Sequence, residues 1–122
     1  MKHSKKFLEL VSEAEKKVSE LSTDEVLKKI SGNAPVLIID VREDSEWAQG
    51  HIPQAIHLGK GIIERDIEVK VPDPTQELVL YCGGGFRSVL AAESLQKMGY
   101  TKVWSMAGGY RAWKDEKKPM QS

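Results

Sequence analysis

Residues 78–88, Leu78-Val79-Leu80-Tyr81-Cys82-Gly83-Gly84-Gly85-Phe86-Arg87-Ser88, decide how the chain is read. The opening apolar run has no polar alternation, which suits a strand buried on both faces, as in a parallel sheet. It delivers Cys82, the only cysteine in 122 residues, at its carboxyl end. Three glycines follow. From Arg87 to Met98 the residues Val89, Leu90, Ala91, Leu95 and Met98 recur at helical spacing, and Gly99 closes the pattern. Strand, glycine loop and helix together place a thiol where unpaired N–H groups and the positive end of a helix dipole converge. Glycines take backbone angles closed to other residues, so the loop can curl and turn several N–H groups inward as an anion nest. Cysteine is a useful nucleophile only as a thiolate. The loop predicts a sulfur that is negative, ringed by amides and reachable from solvent.

The same alternation extends in both directions. Residues 36–39 form a second continuous apolar run, ending in Asp40-Val41-Arg42, and 18–21, 55–58 and 103–106 read as further short strands. Ser22-Thr23-Asp24-Glu25 has capping-box spacing and opens a helix to about Ser31, stopped by Gly32-Asn33. Asp44 or Ser45 caps a short helix through Gln49. Residues 62–65 read as one helical turn, and Tyr110 starts a last helix after a Gly108-Gly109 turn. Residues 114–118 read as a charged, frayed end. Phe7, Val11, Ala14 and Val18 fall on one face of an N-terminal amphipathic helix, which either packs on the domain or pairs with a second copy. The expected division is a helical extension at 1–17, a domain at 18–116 and a tail at 117–122. The expected fold class is a single α/β domain, its mostly parallel central sheet covered by helices on both faces, plus the N-terminal helix. In such folds ligands bind at the carboxyl ends of strands, where Asp40 and Cys82 both lie.

Composition narrows the function. Eighteen basic and eighteen acidic residues cancel, so nothing in the charge favours a nucleic-acid partner. No stretch is apolar enough to span a bilayer or serve as a signal peptide, which makes a cytoplasmic protein the default. One cysteine and three scattered histidines lack zinc-ligand spacing, so no metal and no cofactor are expected. A thioredoxin-like exchange lacks its second cysteine.

Several short pieces carry a resemblance: Asp40-Val41-Arg42-Glu43, Glu46-Trp47, Gly50-His51-Ile52-Pro53-Gln54-Ala55, Val79-Leu80-Tyr81-Cys82, Arg87-Ser88 and Gly108-Gly109-Tyr110-Arg111-Ala112-Trp113. In this order, with four residues between Cys82 and Arg87, they resemble a single-domain rhodanese. The resemblance implies a sulfurtransferase that moves sulfane sulfur from a donor, thiosulfate or a thiol-borne persulfide, to an acceptor through a Cys82 persulfide. It also implies that Gly83, Gly84, Gly85, Phe86, Arg87 and Ser88 form the substrate-binding loop and that Asp40 and Arg42 support it. With no second cysteine the sulfur must leave to an external acceptor, and cyanide, a small thiol or a protein thiol would serve; the chain is expected to be a monomer or weak dimer.

Gly83 departs from the common pattern, in which a polar or charged residue follows the cysteine. A loop with no base before Arg87 attracts thiosulfate less and keeps thiol-borne donors open. Arg87, as a cation at a helix start, is expected to fold back onto loop carbonyls or a carboxylate. Ser88 either caps its helix or faces the loop, and His51 reads as a structural histidine. Two alternatives stand: a non-catalytic sulfur-relay or protein-binding module, and a small phosphatase or arsenate reductase. Cysteine phosphatases place five residues, not four, between the thiol and the arginine.

Overall fold

A computed structural model describes residues 3–33 and 35–121, so the first two residues of the expected extension and the last of the expected tail lie outside the described residues. The elements run α1 (Lys5–Glu15), β1 (Ser19–Leu21), α2 (Thr23–Ser31), β2 (Val36–Asp40), α3 (Asp44–Ala48), β3 (Ile56–His57), α4 (Ile63–Lys70), β4 (Glu77–Tyr81), α5 (Phe86–Lys97), β5 (Val103–Met106) and α6 (Gly109–Asp115). The five strands form one sheet in the order β1-β5-β4-β2-β3, and every pairing is parallel. The α/β architecture read from the sequence is the one observed.

The side-chain period of two sorts the sheet into two cores. Ile39, Leu78 and Leu80 point toward α1, α4 and α5, where Val11, Ala14, Ile63, Ile67, Val89 and Leu95 meet them. Ile38, Val79, Tyr81 and Met106 point the other way, onto Val26 of α2 and Tyr110 and Trp113 of α6. Burial on both faces explains why β2 and β4 read as unbroken apolar runs.

Four local points of comparison with the sequence reading have physical causes. First, α4 runs two turns rather than one, because Ile63 and Ile67, one turn apart, are both fully buried. Second, α3 starts at Asp44 itself rather than after it: its N-cap is Glu43, whose N–H is accepted by the Glu46 carboxylate at 3.1 Å. Third, of the two alternatives for α1 the structure shows the packed one, with Val11 and Ala14 in the main core. Fourth, residues 114–118 are not frayed. Lys114 lies within α6, and Lys118 ion-pairs with Asp24 at 2.8 Å, while Trp113 Nε1 donates to the Pro119 carbonyl at 2.6 Å. Beyond it, His51 and Gln121 exchange backbone hydrogen bonds of 2.7 and 2.8 Å.

The burial of α1 has a measurable consequence. Val11→Asp places a carboxylate in the core and lowers unfolding stability by about 2 kcal/mol or more, measured by urea denaturation; a loosely attached helix would tolerate it.

Candidate active site

β4 ends at Tyr81 and α5 begins at Phe86, so residues 82–85 make the whole connection. Gly85, at φ +103, is the N-cap of α5 and has no side chain with which to cap it. The sulfur of Cys82 takes that role. Its Sγ accepts the Gly85 N–H at 3.1 Å and the Ser88 N–H at 3.4 Å, and Ser88 is the third residue of the helix. Of the three glycines only Gly85 has a positive φ. Gly83 serves the loop through missing bulk: a Cβ there would stand 2.9 Å from Arg87 Nη2.

The inward-facing amides expected from the sequence are present at Gly85 and Ser88. The exposure expected of the thiol is not, because Cys82 is 1% exposed. Its sulfur is drawn down onto the α5 amides, and its flanks are closed by the core residues around it. Among the described residues, the N–H groups of Gly83, Gly84, Phe86 and Arg87 donate to no acceptor within the chain.

A second helix start closes on the same peptide. The Tyr110 N–H donates to the Cys82 carbonyl at 2.7 Å, and the Arg111 N–H donates to the Gly83 carbonyl at 3.0 Å. This approach requires Gly109, at φ +61, whose Cβ would fall 2.6 Å from both carbonyl oxygens. The sequence reading took Gly108-Gly109 as a turn and missed this contact. Its signal was a glycine pair placed directly before a helix.

Arg87 does fold back onto a carboxylate. Its Nη1 and Nη2 bind Glu46 Oε1 and Oε2 at 2.8 and 3.1 Å. That hydrogen bonding holds the Glu46 carboxyl below its ordinary range and raises the Arg87 guanidinium. Glu46 entered the sequence reading only as part of a motif, so its partnership was missed. Ser88 faces the loop: its Oγ lies 3.5 Å from Cys82 Sγ and 3.3 Å from the Gly85 carbonyl, and it accepts no N–H as a helix cap.

Asp40 and Arg42 form a buried pair one strand away. Arg42 Nε bonds both Asp40 oxygens at 3.0 Å, and Nη2 adds Asp40 Oδ2 and the Gly50 carbonyl, each at 2.7 Å. The guanidinium lies 4.2 Å over the Tyr110 ring, which links the pair to α6 and so to the loop. The Tyr81 phenol accepts the Ile52 N–H at 3.1 Å, and burial, with the Asp40 carboxylate beside it, pushes its ionisation far up. His51 is structural, stacked on Trp47 at 3.6 Å with Nδ1 3.0 Å from the Ile52 carbonyl. No cluster of His, Cys, Asp and Glu among the described residues could hold a metal ion. A cleft of about 200 Å³, lined by Gly83, Tyr110, Arg111, Lys114 and Asp115, borders the loop.

Comparison with known proteins agrees with this geometry. The rhodanese-like domain family model matches residues 22–116. The protein YtwF of Bacillus subtilis is 38% identical over 102 residues, covering 84% of this chain and 96% of its own. A thiosulfate sulfurtransferase GlpE of Coxiella burnetii is 30% identical over 99 residues, covering 81% of this chain and 87% of its own. Among solved structures, a Rhodopseudomonas palustris protein of unknown function, described as a possible tyrosine phosphatase, superposes with a TM-score of 0.85 at 31% identity, covering 99% of this chain and 98% of that one.

Two substitutions test the loop's supports. Gly109→Ala drives a methyl into two backbone oxygens and destabilises the fold by about 2 kcal/mol or more, read by thermal unfolding. Glu46→Gln removes a half-exposed ion pair and costs about 0.5 kcal/mol at neutral pH. The folded Glu46 carboxyl ionises below its ordinary 4.5. The pair's contribution is therefore complete above that value and vanishes as pH falls through the lowered one. Below that point wild type and Glu46→Gln should converge in stability, and a gap that persists or widens there contradicts the assignment.

Proposed function

The chain belongs to the rhodanese family, and we propose that it is a sulfurtransferase that carries sulfane sulfur as a persulfide on Cys82. The observation that carries this reading is the thiol sulfur sitting as the acceptor at the start of α5, with the amides of Gly83, Gly84, Phe86 and Arg87 around it uncommitted. The Cys82 thiolate attacks the sulfane sulfur of the donor. A new S–S bond forms, the old one breaks, and the donor leaves with its electron pair, as sulfite from thiosulfate or as a thiolate from a persulfide. The negative charge then rests on the outer sulfur, within reach of the free loop amides. A thiophilic acceptor, cyanide or a thiolate, takes that outer sulfur and returns the charge to Sγ.

The buried position of Cys82 sets the approach. A donor reaches the sulfur from the side where Gly83 and Gly84 carry no side chains, bordering the Arg111–Lys114 cleft. Arg87 lies nearest the glycines but is already engaged by Glu46, and the next cation is Arg111, its Nη1 3.8 Å from the Cβ position of Gly84. That charge suits an anionic donor, thiosulfate or a persulfide alike. Asp40 and Arg42 act at one remove, by holding Tyr110 and the start of α6 against the loop. With no second cysteine, sulfur leaves only to an external acceptor.

The phosphatase reading attached to the Rhodopseudomonas palustris neighbour is disfavoured by loop size. Four residues between Cys82 and Arg87 make a ring for a single sulfur better than for a tetrahedral oxyanion, and Arg87 is bound away by Glu46.

Intact-mass spectrometry after incubation with thiosulfate or glutathione persulfide decides the matter. Wild type should gain the mass of one sulfur atom, lose it to a reductant, and show no gain as Cys82→Ser. Absence of the gain with every donor, or turnover of an aryl phosphate, removes the proposal.

A further inference from the structure

Strand β5 reads Val103-Trp104-Ser105-Met106, and its third residue is out of place. Ser105 is fully buried on the α5-facing side of the sheet, the side of Leu80 and Val103. Its register partner on β4 is Leu80, two residues before the nucleophile. A buried hydroxyl there costs free energy unless it is bonded. Its hydrogen-bond partner among the described residues is Ser88 Oγ, at 2.8 Å.

The direction of that bond follows from counting protons. Ser88 Oγ has three polar neighbours: Ser105 Oγ, Cys82 Sγ and the Gly85 carbonyl oxygen. The carbonyl only accepts, and a thiolate only accepts. If Ser88 donated to Ser105, the Ser105 proton would have no acceptor and neither the carbonyl nor the sulfur would receive one. If Ser105 donates to Ser88, every group is satisfied, and the single Ser88 proton is shared between Sγ and the Gly85 carbonyl. No buried polar side-chain atom among the described residues is left without a partner.

We propose that Ser105 is a positioning residue for sulfur transfer, fixing the Ser88 hydroxyl so that its proton turns to Cys82 Sγ when that atom carries charge and to the Gly85 carbonyl when it does not. This rests on the sulfurtransferase reading. In the loaded state the charge lies on the outer sulfur, and Sγ is a neutral member of an S–S bond. When an acceptor takes the outer sulfur, that bond breaks and its electron pair returns to Sγ. The leaving sulfur then gains a third donor, the Ser88 hydroxyl, beside the Gly85 and Ser88 amides. Ser105 therefore assists discharge more than loading.

The test separates the two half-reactions in the full-length protein. Loading is followed by mass after mixing with thiosulfate. Discharge is followed after removing the donor and adding cyanide. In Ser105→Ala, discharge should slow by about tenfold, the scale of weakening one hydrogen bond to a charged atom, while loading changes far less. Ser105→Thr, which keeps the hydroxyl, should recover most of the discharge rate. Ser105→Ala in a Ser88→Ala background should add no further loss, because the two hydroxyls act in series. Equal slowing of both halves, wild-type discharge in Ser105→Ala, or additive losses in the double variant would overturn the inference. If Ser105→Thr folds poorly, the Ser105→Ala split and the double variant still decide it. A wild type that never loads sulfur would remove the sulfurtransferase reading, and this inference with it.

Discussion

A helix start leaves N–H groups without partners, and at α5 the thiol of Cys82 supplies the acceptor that a capping side chain would normally provide. The rest of the site follows from that substitution. Gly85 can be the N-cap only because something else accepts the Ser88 N–H, and its left-handed backbone turns its own N–H onto the same sulfur. On the sulfurtransferase reading, folding and chemistry share one atom. The amides that stabilise the helix terminus are those that would stabilise charge on sulfur, and their dipoles do not titrate.

The position of that atom depends in turn on the parallel sheet. Side-by-side parallel strands bring all their carboxyl ends to one edge. β4 and β5 end there together, and the helices that follow them, α5 and α6, both begin at the Cys82 loop. α6 holds the carbonyls of Cys82 and Gly83, while α5 holds the sulfur and the side chain of Arg87 is drawn off to Glu46 on α3. The loop is fixed from three elements through backbone and ion-pair contacts, leaving its remaining amides free. The buried Asp40–Arg42 pair adds a fourth tie through the Tyr110 ring.

Much of this was legible in the chain, and the divide between what was and was not is physical. Period and punctuation reveal burial, so the strands at 36–40 and 77–81, the capping box at Ser22 and the helix after the glycines could be read directly. The family resemblance rested on the order of short motifs and held. What could not be read were contacts between residues far apart in sequence with no compositional mark. Glu46 and Arg87 are separated by 41 positions, Ser88 and Ser105 by 17, and nothing in either local stretch names its partner. The helix at 63–70 read as a single turn because its evidence is two residues, Ile63 and Ile67, on a short buried face. The extent of Cys82 burial was also hidden, because a glycine-rich loop reads the same whether its sulfur points out or down onto the helix.

That burial has a use on the sulfurtransferase reading. A thiol at the surface, activated by amides, would be open to oxidation by any passing peroxide. At 1% exposure the empty Cys82 is shielded. Adding a sulfur lengthens the side chain by an S–S bond, about 2 Å. The new terminal atom then stands that much closer to the glycine rim at Gly84, where an acceptor can meet it. The depth of the pocket therefore discriminates between the two states of the same residue: the carrier is sheltered when empty and presented when loaded. With no second cysteine to capture the sulfur internally, presentation to an outside acceptor is the route by which the cycle closes.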